Sequence, residues 1–317
     1  MTASTTRRAT AARTRMAAVG AIAVAGALLL TACGDQTEEA DKSKTESGSD
    51  SLHSKLPTGI QKSGVLKIGT DAQYAPMEYE EGGKIVGIDP DIAAALAKEL
   101  GVKVQFTNST FDGLVTTLNS GRQNAVMSAM SDTKARQEGL DDKGKKAGKG
   151  VDFVDYFTSG VSLLVKKGNP EGIKGLDDLC GKKVAVQRGT IYETTFKDQA
   201  KKCDKAGDKK LAIEAFDTDA EAQTRVKAGG AVADLNDYPV SAYIAKKAGG
   251  GKDFEVAGGQ TDAGPFGIAV SKDEPQLREA LKLALDKIIK SGEYTKVLEK
   301  WQVTKSAVDK ASINAGS

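Results

Sequence analysis

Four short segments hold the side chains with chemistry to offer. Ser131, Thr133 and Arg136 sit together in Ser131-Asp132-Thr133-Lys134-Ala135-Arg136, two hydroxyls at the start of a predicted helix and a guanidinium one turn on. Free amide N–H groups at a helix start, joined by a guanidinium that can donate two parallel hydrogen bonds, make a cradle for an anion and suit a carboxylate. Asp237, in Leu235-Asn236-Asp237-Tyr238-Pro239, offers the opposite charge at the end of a predicted strand. Its alternative role is a helix N-cap ahead of Tyr-Pro. If both charges face one cleft, they fit a zwitterion. Thr70 to Glu78, with Asp71 and Tyr74, and Phe111-Asp112-Gly113-Leu114 also follow strands directly. Asp71 could instead cap backbone amides, and Tyr74 and Phe111 could simply be core, because aromatic side chains bury large areas.

Other chemistries are poorly supplied. The single histidine, His53, lies in a polar stretch, which removes most catalytic triads and most zinc sites. No metal, cofactor or catalytic residue is expected. Glu78 is the nearest candidate for a general acid, and no obvious second acid accompanies it.

The first residues define an export signal. Arg7, Arg8, Arg13 and Arg15 precede a small, apolar run from Met16 to Leu30, then Thr31, Ala32 and Cys33. A basic start followed by an apolar run somewhat short for a membrane span is the layout of a signal peptide. Leu30-Thr31-Ala32-Cys33 resembles a lipobox, which places a diacylglyceryl group on Cys33 and cleavage after residue 32. The alternative is a plain signal peptide with a chance cysteine. Removing residues 1–32, with four arginines and no acids, leaves 285 of the 317 residues and takes the net charge from +2 to −2. A body this close to neutral argues against a nucleic-acid partner, since phosphate binding needs concentrated basic surface. With Cys33 used for lipid, Cys180 and Cys203 remain as an even pair in an oxidising compartment. A disulfide would close a loop of about 22 residues and contribute roughly 3 kcal/mol; the alternative is two buried thiols.

These side chains need elements to position them. Residues 33–57 are nearly devoid of apolar side chains and read as a flexible tether, with structure expected from Val65. Strands are predicted at Val65–Gly69, Val102–Phe106, Asn124–Met130, Val161–Val165, Val184–Val186, Leu211–Phe216 and Ala231–Leu235, with a short extended piece at Ile85–Ile88. Asp89-Pro90 opens a helix in which Asp89 is the expected N-cap, Ile92, Leu96 and Leu100 form an apolar stripe, and Gly101 ends the run. Further helices are predicted at Phe111–Leu118, Ile191–Lys202, Ala220–Lys227, Val240–Lys247, Gln276–Ile289 and Tyr294–Trp301, with a solvated loop at Asp141–Gly150. Strands alternating with helices imply open α/β sheets, whose ligands settle at the carboxyl ends of strands.

In this setting the sequence resembles the type II periplasmic solute-binding proteins of polar amino-acid ABC importers, bacterial solute-binding protein family 3, from about Val65 to Val303. Seven motifs occur in the family's order: Gly69-Thr70-Asp71 with Tyr74-Ala75-Pro76, Gly87-Ile88-Asp89-Pro90-Asp91-Ile92, Phe111-Asp112-Gly113-Leu114, the Ser131 to Arg136 cluster, Val151-Asp152-Phe153-Val154-Asp155-Tyr156, Val186-Gln187-Arg188-Gly189-Thr190, and Gly264-Pro265-Phe266-Gly267-Ile268-Ala269-Val270. The resemblance implies an α/β fold of two lobes, each an open mixed sheet flanked by helices, joined by a two-strand hinge. Lobe 1 would comprise residues 58–160 and 264–305, lobe 2 residues 161–263, and residues 306–317 a C-terminal tail.

By the same resemblance, Arg136, Ser131 and the backbone at Ala129 hold a ligand's α-carboxylate and Asp237 its α-ammonium. Tyr74 and Phe111 sandwich the ligand side chain, Asp71 meets polar or cationic groups, and Gln187 and Thr190 are lobe 2's contribution. Gly189-Thr190-Ile191-Tyr192 departs from the family's more usual Gly-Thr-Thr-Gln or Gly-Ser-Thr-Gln, losing one hydroxyl and adding bulk. The expected protein is a monomer on the outer face of the cell membrane, held by its lipid. It would capture a polar amino acid and deliver it to the permease subunits of an ABC importer. The rivals are an enzyme resembling cyclohexadienyl dehydratase on the same scaffold, with Glu78 as its acid, and a ligand-sensing partner of a membrane receptor.

Overall fold

A computed structural model describes residues 52–141 and 143–317. The expected signal peptide, Cys33 and most of the expected tether lie outside the described residues.

The chain alternates strand and helix as its periodicity requires. The first half holds helix α1 (Thr58–Ser63), strands β1 (Val65–Thr70), β2 (Gln73–Tyr74), β3 (Glu78–Glu81) and β4 (Lys84–Val86), helix α2 (Ile88–Leu100), strand β5 (Lys103–Asn108), helix α3 (Leu114–Asn119), strand β6 (Ala125–Val126) and helix α4 (Lys134–Glu138). Strand β7 (Val151–Lys166) then crosses into the second half, which holds β8 (Lys183–Gln187), α5 (Ile191–Ala206), β9 (Ala212–Phe216), α6 (Asp219–Lys227), β10 (Ala233–Asp237) and α7 (Tyr238–Lys247). Strand β11 (Phe254–Ser271) crosses back, and α8 (Pro275–Ser291), α9 (Glu293–Trp301) and β12 (Ser312–Ile313) finish the first half.

The sheet order is β5-β1-β6-β11-β7-β10-β8-β9, with β12 added to β7. β7 and β11 run antiparallel along most of their length, so they belong to both halves and join two lobes as a two-strand hinge. Either side of them the outer strands are parallel: β1 with β5 and β6 in lobe 1, β8 with β9 and β10 in lobe 2. The β7/β11 ladder shifts register between Ala257 and Thr261 and again between Thr261 and Gly264. Each lobe has its own core. In lobe 1, Ile92, Leu96 and Leu100 of α2 meet Leu277, Leu281, Leu285 and Ile288 of α8, stripes at helical spacing that turn inward together. In lobe 2, Val184, Val186, Tyr192, Phe196 and Leu235 pack together, and Cys180 and Cys203 are bridged with Cα atoms 5.6 Å apart.

Four sequence expectations change. The body begins before the expected end of the tether at residue 57: Leu56 is fully buried in the lobe 1 core, and His53 Nδ1 donates to the Leu100 carbonyl at 3.2 Å. Leu56 and, packed against the same core, Leu52 supply the apolar contact that the surrounding polar residues obscured. Residues 306–317 are no free tail. Ala311 is buried, β12 pairs with β7, and the Gly316 amide donates to Asp132 Oδ2 at 2.7 Å. Asp89 is not an N-cap, because α2 starts two residues earlier than expected, at Ile88 with Gly87 at the cap position, and Asp89 is buried inside the first turn. Gly87 is required there, since its φ is +139° and a Cβ would lie 2.2 Å from the Met77 carbonyl oxygen. The strand expected over Asn124–Met130 contracts to β6, and the residues after it leave the ladder to build the site.

Candidate functional site

A small cavity lies between the lobes at the carboxyl ends of the parallel strands. All nine residues expected to bind ligand line it: Asp71, Tyr74, Phe111, Ala129, Ser131 and Arg136 from lobe 1, Gln187, Thr190 and Asp237 from lobe 2. Glu78, Ser128, Ile191 and Tyr192 complete the wall.

Arg136 stands on the short helix α4, whose N-cap Thr133 accepts from the Arg136 amide through Oγ1 at 3.3 Å. Its Nη1 donates to the Ser131 carbonyl (2.7 Å) and its Nη2 crosses to the Gly189 carbonyl of lobe 2 (3.2 Å), while the guanidinium lies 5.3 Å from the Phe111 ring centre. Gly189 permits that approach: its φ is +76°, and a Cβ there would come within 2.9 Å of Asp112 Cβ. Among the described residues no carboxylate pairs with Arg136 within 4.0 Å, and burial lowers its pKa to about 10. This half-buried guanidinium hydrogen-bonds only carbonyls among the described residues, and Asp237 and Asp132 act on its charge through space without a salt bridge.

Asp237 closes β10 and is buried. It occupies the N-cap position of α7 yet makes no side-chain cap hydrogen bond, so the capping alternative fails. Its carboxylate turns into the cavity, where the Tyr74 hydroxyl donates to Oδ2 at 2.7 Å and the Tyr192 hydroxyl donates to Oδ1. Burial pushes the Asp237 carboxyl up to about 7, against the opposing pull of the two phenol donors and of Arg136. Tyr74 therefore bridges lobe 1 to an acid of lobe 2. A second bridge runs from Gln187 Nε2 to Asp71 Oδ2 at 2.5 Å, and burial still raises Asp71 to about 6.

Beneath the floor lies a network absent from the sequence reading. The Ala129 amide, at a residue with φ of +44°, donates to Asp89 Oδ2 (2.9 Å), and the Tyr156 hydroxyl donates to Asp89 Oδ1 (2.7 Å). The Ala129 N–H is thus committed to Asp89, which holds the backbone in its left-handed bend. Ser128 Oγ accepts from the Asp71 amide (3.0 Å) and donates to Glu78 Oε1 (2.7 Å). Thr190 caps α5 by accepting from the Glu193 amide, and its own hydroxyl donates to the Gln187 carbonyl at 2.8 Å.

The signal for Tyr192 was its departure from the Thr-Gln pattern, but not that its hydroxyl would reach Asp237. Nothing local marks Ser128 or Asp89, whose partners come from distant segments.

Opposed charges at the strand ends of two lobes on a β7/β11 hinge define a two-lobed solute-binding protein of the type II periplasmic class. The model of the bacterial extracellular solute-binding proteins, family 3, matches residues 66–304, and the chain belongs to that family. Among its relatives are the arginine-binding protein ArgT of Corynebacterium glutamicum, 27% identical with 83% of this chain and 82% of that protein aligned, and the ABC transporter glutamine-binding protein GlnH of Bacillus subtilis, 29% identical with 88% and 94% aligned. A similar solved structure is the ancestral amino acid-binding protein AncCDT-1, a precursor of cyclohexadienyl dehydratase, with a TM-score of 0.66, 39% identity and coverage of 77% of this chain and 97% of that one.

Proposed function

We propose that this protein captures a polar α-amino acid between its lobes and passes it, chemically unchanged, to the permease subunits of an ABC importer, acting as a monomer on the outer face of the membrane through a lipid on Cys33. The observation that carries the reading is that Arg136 of lobe 1 and Asp237 of lobe 2 wall one cavity. A ligand carboxylate takes the guanidinium with Ser131, its ammonium takes Asp237, and its side chain lies by Tyr74, Phe111 and Asp71.

Lobe boundaries at 160/161 and 263/264 put the bending points on β7 and β11, beside the register shift that ends at Gly264. Closure about those points brings Tyr74 to Asp237 and Gln187 to Asp71, and excluding water strengthens each charge pair. The named relatives of known ligand support the reading because what they bind, arginine and glutamine, has the same zwitterionic backbone.

A thermal-shift screen of the common amino acids tests it. Ligand at about 100 times its Kd adds roughly 2.7 kcal/mol to the folded state, a Tm rise of roughly 5–10 °C for a body this size. At least one polar amino acid should give such a rise; a flat screen removes the reading.

One observation favours a second reading. Glu78 is a buried carboxyl on the cavity wall, and a similar structure is described as the precursor of a dehydratase. Turnover of prephenate or a like cyclic carboxylate would identify an enzyme.

A further inference from the structure

The cavity contains more acid than an amino acid's backbone can use. Its walls hold the carboxyls of Asp71, Glu78 and Asp237, with Asp89 directly behind, and the single cation Arg136. A bound zwitterion matches Arg136 and Asp237 and leaves Asp71, Glu78 and Asp89 without a cation. Gln187 gives Asp71 only a neutral amide donor.

Glu78 is the least satisfied of the three. It is fully buried; Ser128 donates to Oε1, while Oε2 receives no hydrogen bond. The nearest strongly charged group is the Asp89 carboxylate, which already takes two donors, the Ala129 amide and the Tyr156 hydroxyl. Two carboxyls this close cannot both ionise without a cation. The proton therefore sits on Glu78, the member with fewer donors. The groups facing Glu78 are Asp89 on α2, Asp71 after β1 and Ser128 after β6, with Tyr156 of β7 reaching it through Asp89. None is basic.

We infer that Glu78 is a specificity-determining residue that exchanges a proton for the ligand's side chain: the cavity is built for an amino acid with a cationic side chain, whose arrival beside Asp71 and Glu78 expels the Glu78 proton. This rests on the amino-acid reading of the same site and goes beyond it in naming the side-chain class and a coupled proton. Burial and the Asp89 charge raise the Glu78 carboxyl well above the ordinary range, which supplies the proton to be lost. A cation lowers it in the complex, so protons leave on binding and affinity for that ligand rises with pH.

The test is calorimetric titration of the full chain with L-arginine and with L-glutamine at pH 7.5, each in two buffers of different ionisation enthalpy. Any proton released by Asp237 on meeting the α-ammonium is common to both ligands. Arginine should release more protons than glutamine, by up to about one; if glutamine does not bind, the comparison is with the release that arginine causes from Glu78→Gln. Arginine affinity should rise by up to about tenfold per pH unit. Glu78→Gln, which keeps the Ser128 acceptor, should abolish the excess release, and the wild-type proton count decides the matter if that variant does not fold. Arginine binding with no excess release, or glutamine binding without arginine, overturns the inference and leaves the amino-acid reading standing. If neither these nor any other amino acid binds, both fall.

Discussion

At Arg136 the guanidinium donates to two carbonyls, Ser131 and Gly189, and no carboxylate within 4.0 Å answers its charge among the described residues. Replacing Arg136 with Ala should weaken amino-acid binding by at least roughly tenfold in calorimetry, because a desolvated ligand carboxylate loses a charged, two-pronged donor. Asp237 is held near neutrality by the opposition of burial and its two phenol donors. Tyr192→Phe removes one of those donors, so the carboxyl rises above about 7 and more of it is protonated at pH 7. Since an ammonium needs the ionised form, the fall in affinity on acidification should begin at a higher pH in the variant than in wild type, read from Kd between pH 6 and 9. Both charges were legible in the sequence as an anion cradle and an acid at strand ends. Asp89 was misjudged because an acid beside Pro90 resembles a cap, and only the folded chain brings the Ala129 amide and the Tyr156 hydroxyl to it.

At the scale of elements, the helices that hold the site are braced from unexpected places. α5 carries Tyr192 and is tied through Cys203 to Cys180, just after the turn that precedes β8. Removing the bridge with Cys180→Ala and Cys203→Ala should lower stability by about 2–4 kcal/mol in denaturant titration. α4, bearing Arg136, is braced by the C-terminal residues: Gln137 Nε2 donates to Asp132 Oδ1 and to the Gly316 carbonyl, and the Gly316 amide donates to Asp132 Oδ2. At the other end of the chain, Leu56→Ala should cost about 2–5 kcal/mol, the range for a buried leucine. A tether ending at residue 57 would make that change neutral. The long helices were legible because their apolar stripes repeat over several turns; α2 and α8 follow the predicted spans closely. β6 was not, because apolar composition continues to Met130 while the ladder stops at Val126, where the backbone bends toward Ala129. The 52–57 and 311–316 segments were missed because a few apolar or backbone contacts to distant elements fix them, a signal that local periodicity does not contain.

Across the whole molecule, many buried carboxyls share one direction of shift. Asp71, Asp89, Asp155 and Asp219 are raised to about 6 and Asp237 to about 7, with burial the leading cause in each case. A carboxyl raised in the folded state stabilises it fully below the unfolded pKa near 4, and the contribution is lost as pH rises through 6 to 7. Glu214, held at about 2 by Arg225 and Lys183, acts oppositely but only below pH 4.5. The ligand-free protein should therefore have a higher Tm at pH 5 than at pH 8 by scanning calorimetry. The alternation of strand and helix marked open α/β sheets, and the two lobes with their hinge were implied by the family resemblance of the motifs, whereas the acid-rich interior between the lobes is a property of the assembled fold alone. On the proposed function, Arg136 and Asp237 grip an amino acid's carboxylate and ammonium from opposite lobes. The most direct test of that grip is calorimetric titration of the best-binding amino acid beside its α-carboxamide and its deaminated analogue. Affinity should fall by at least roughly tenfold for each analogue, the loss of one charge-assisted contact; analogues that bind as tightly as the parent would contradict the account.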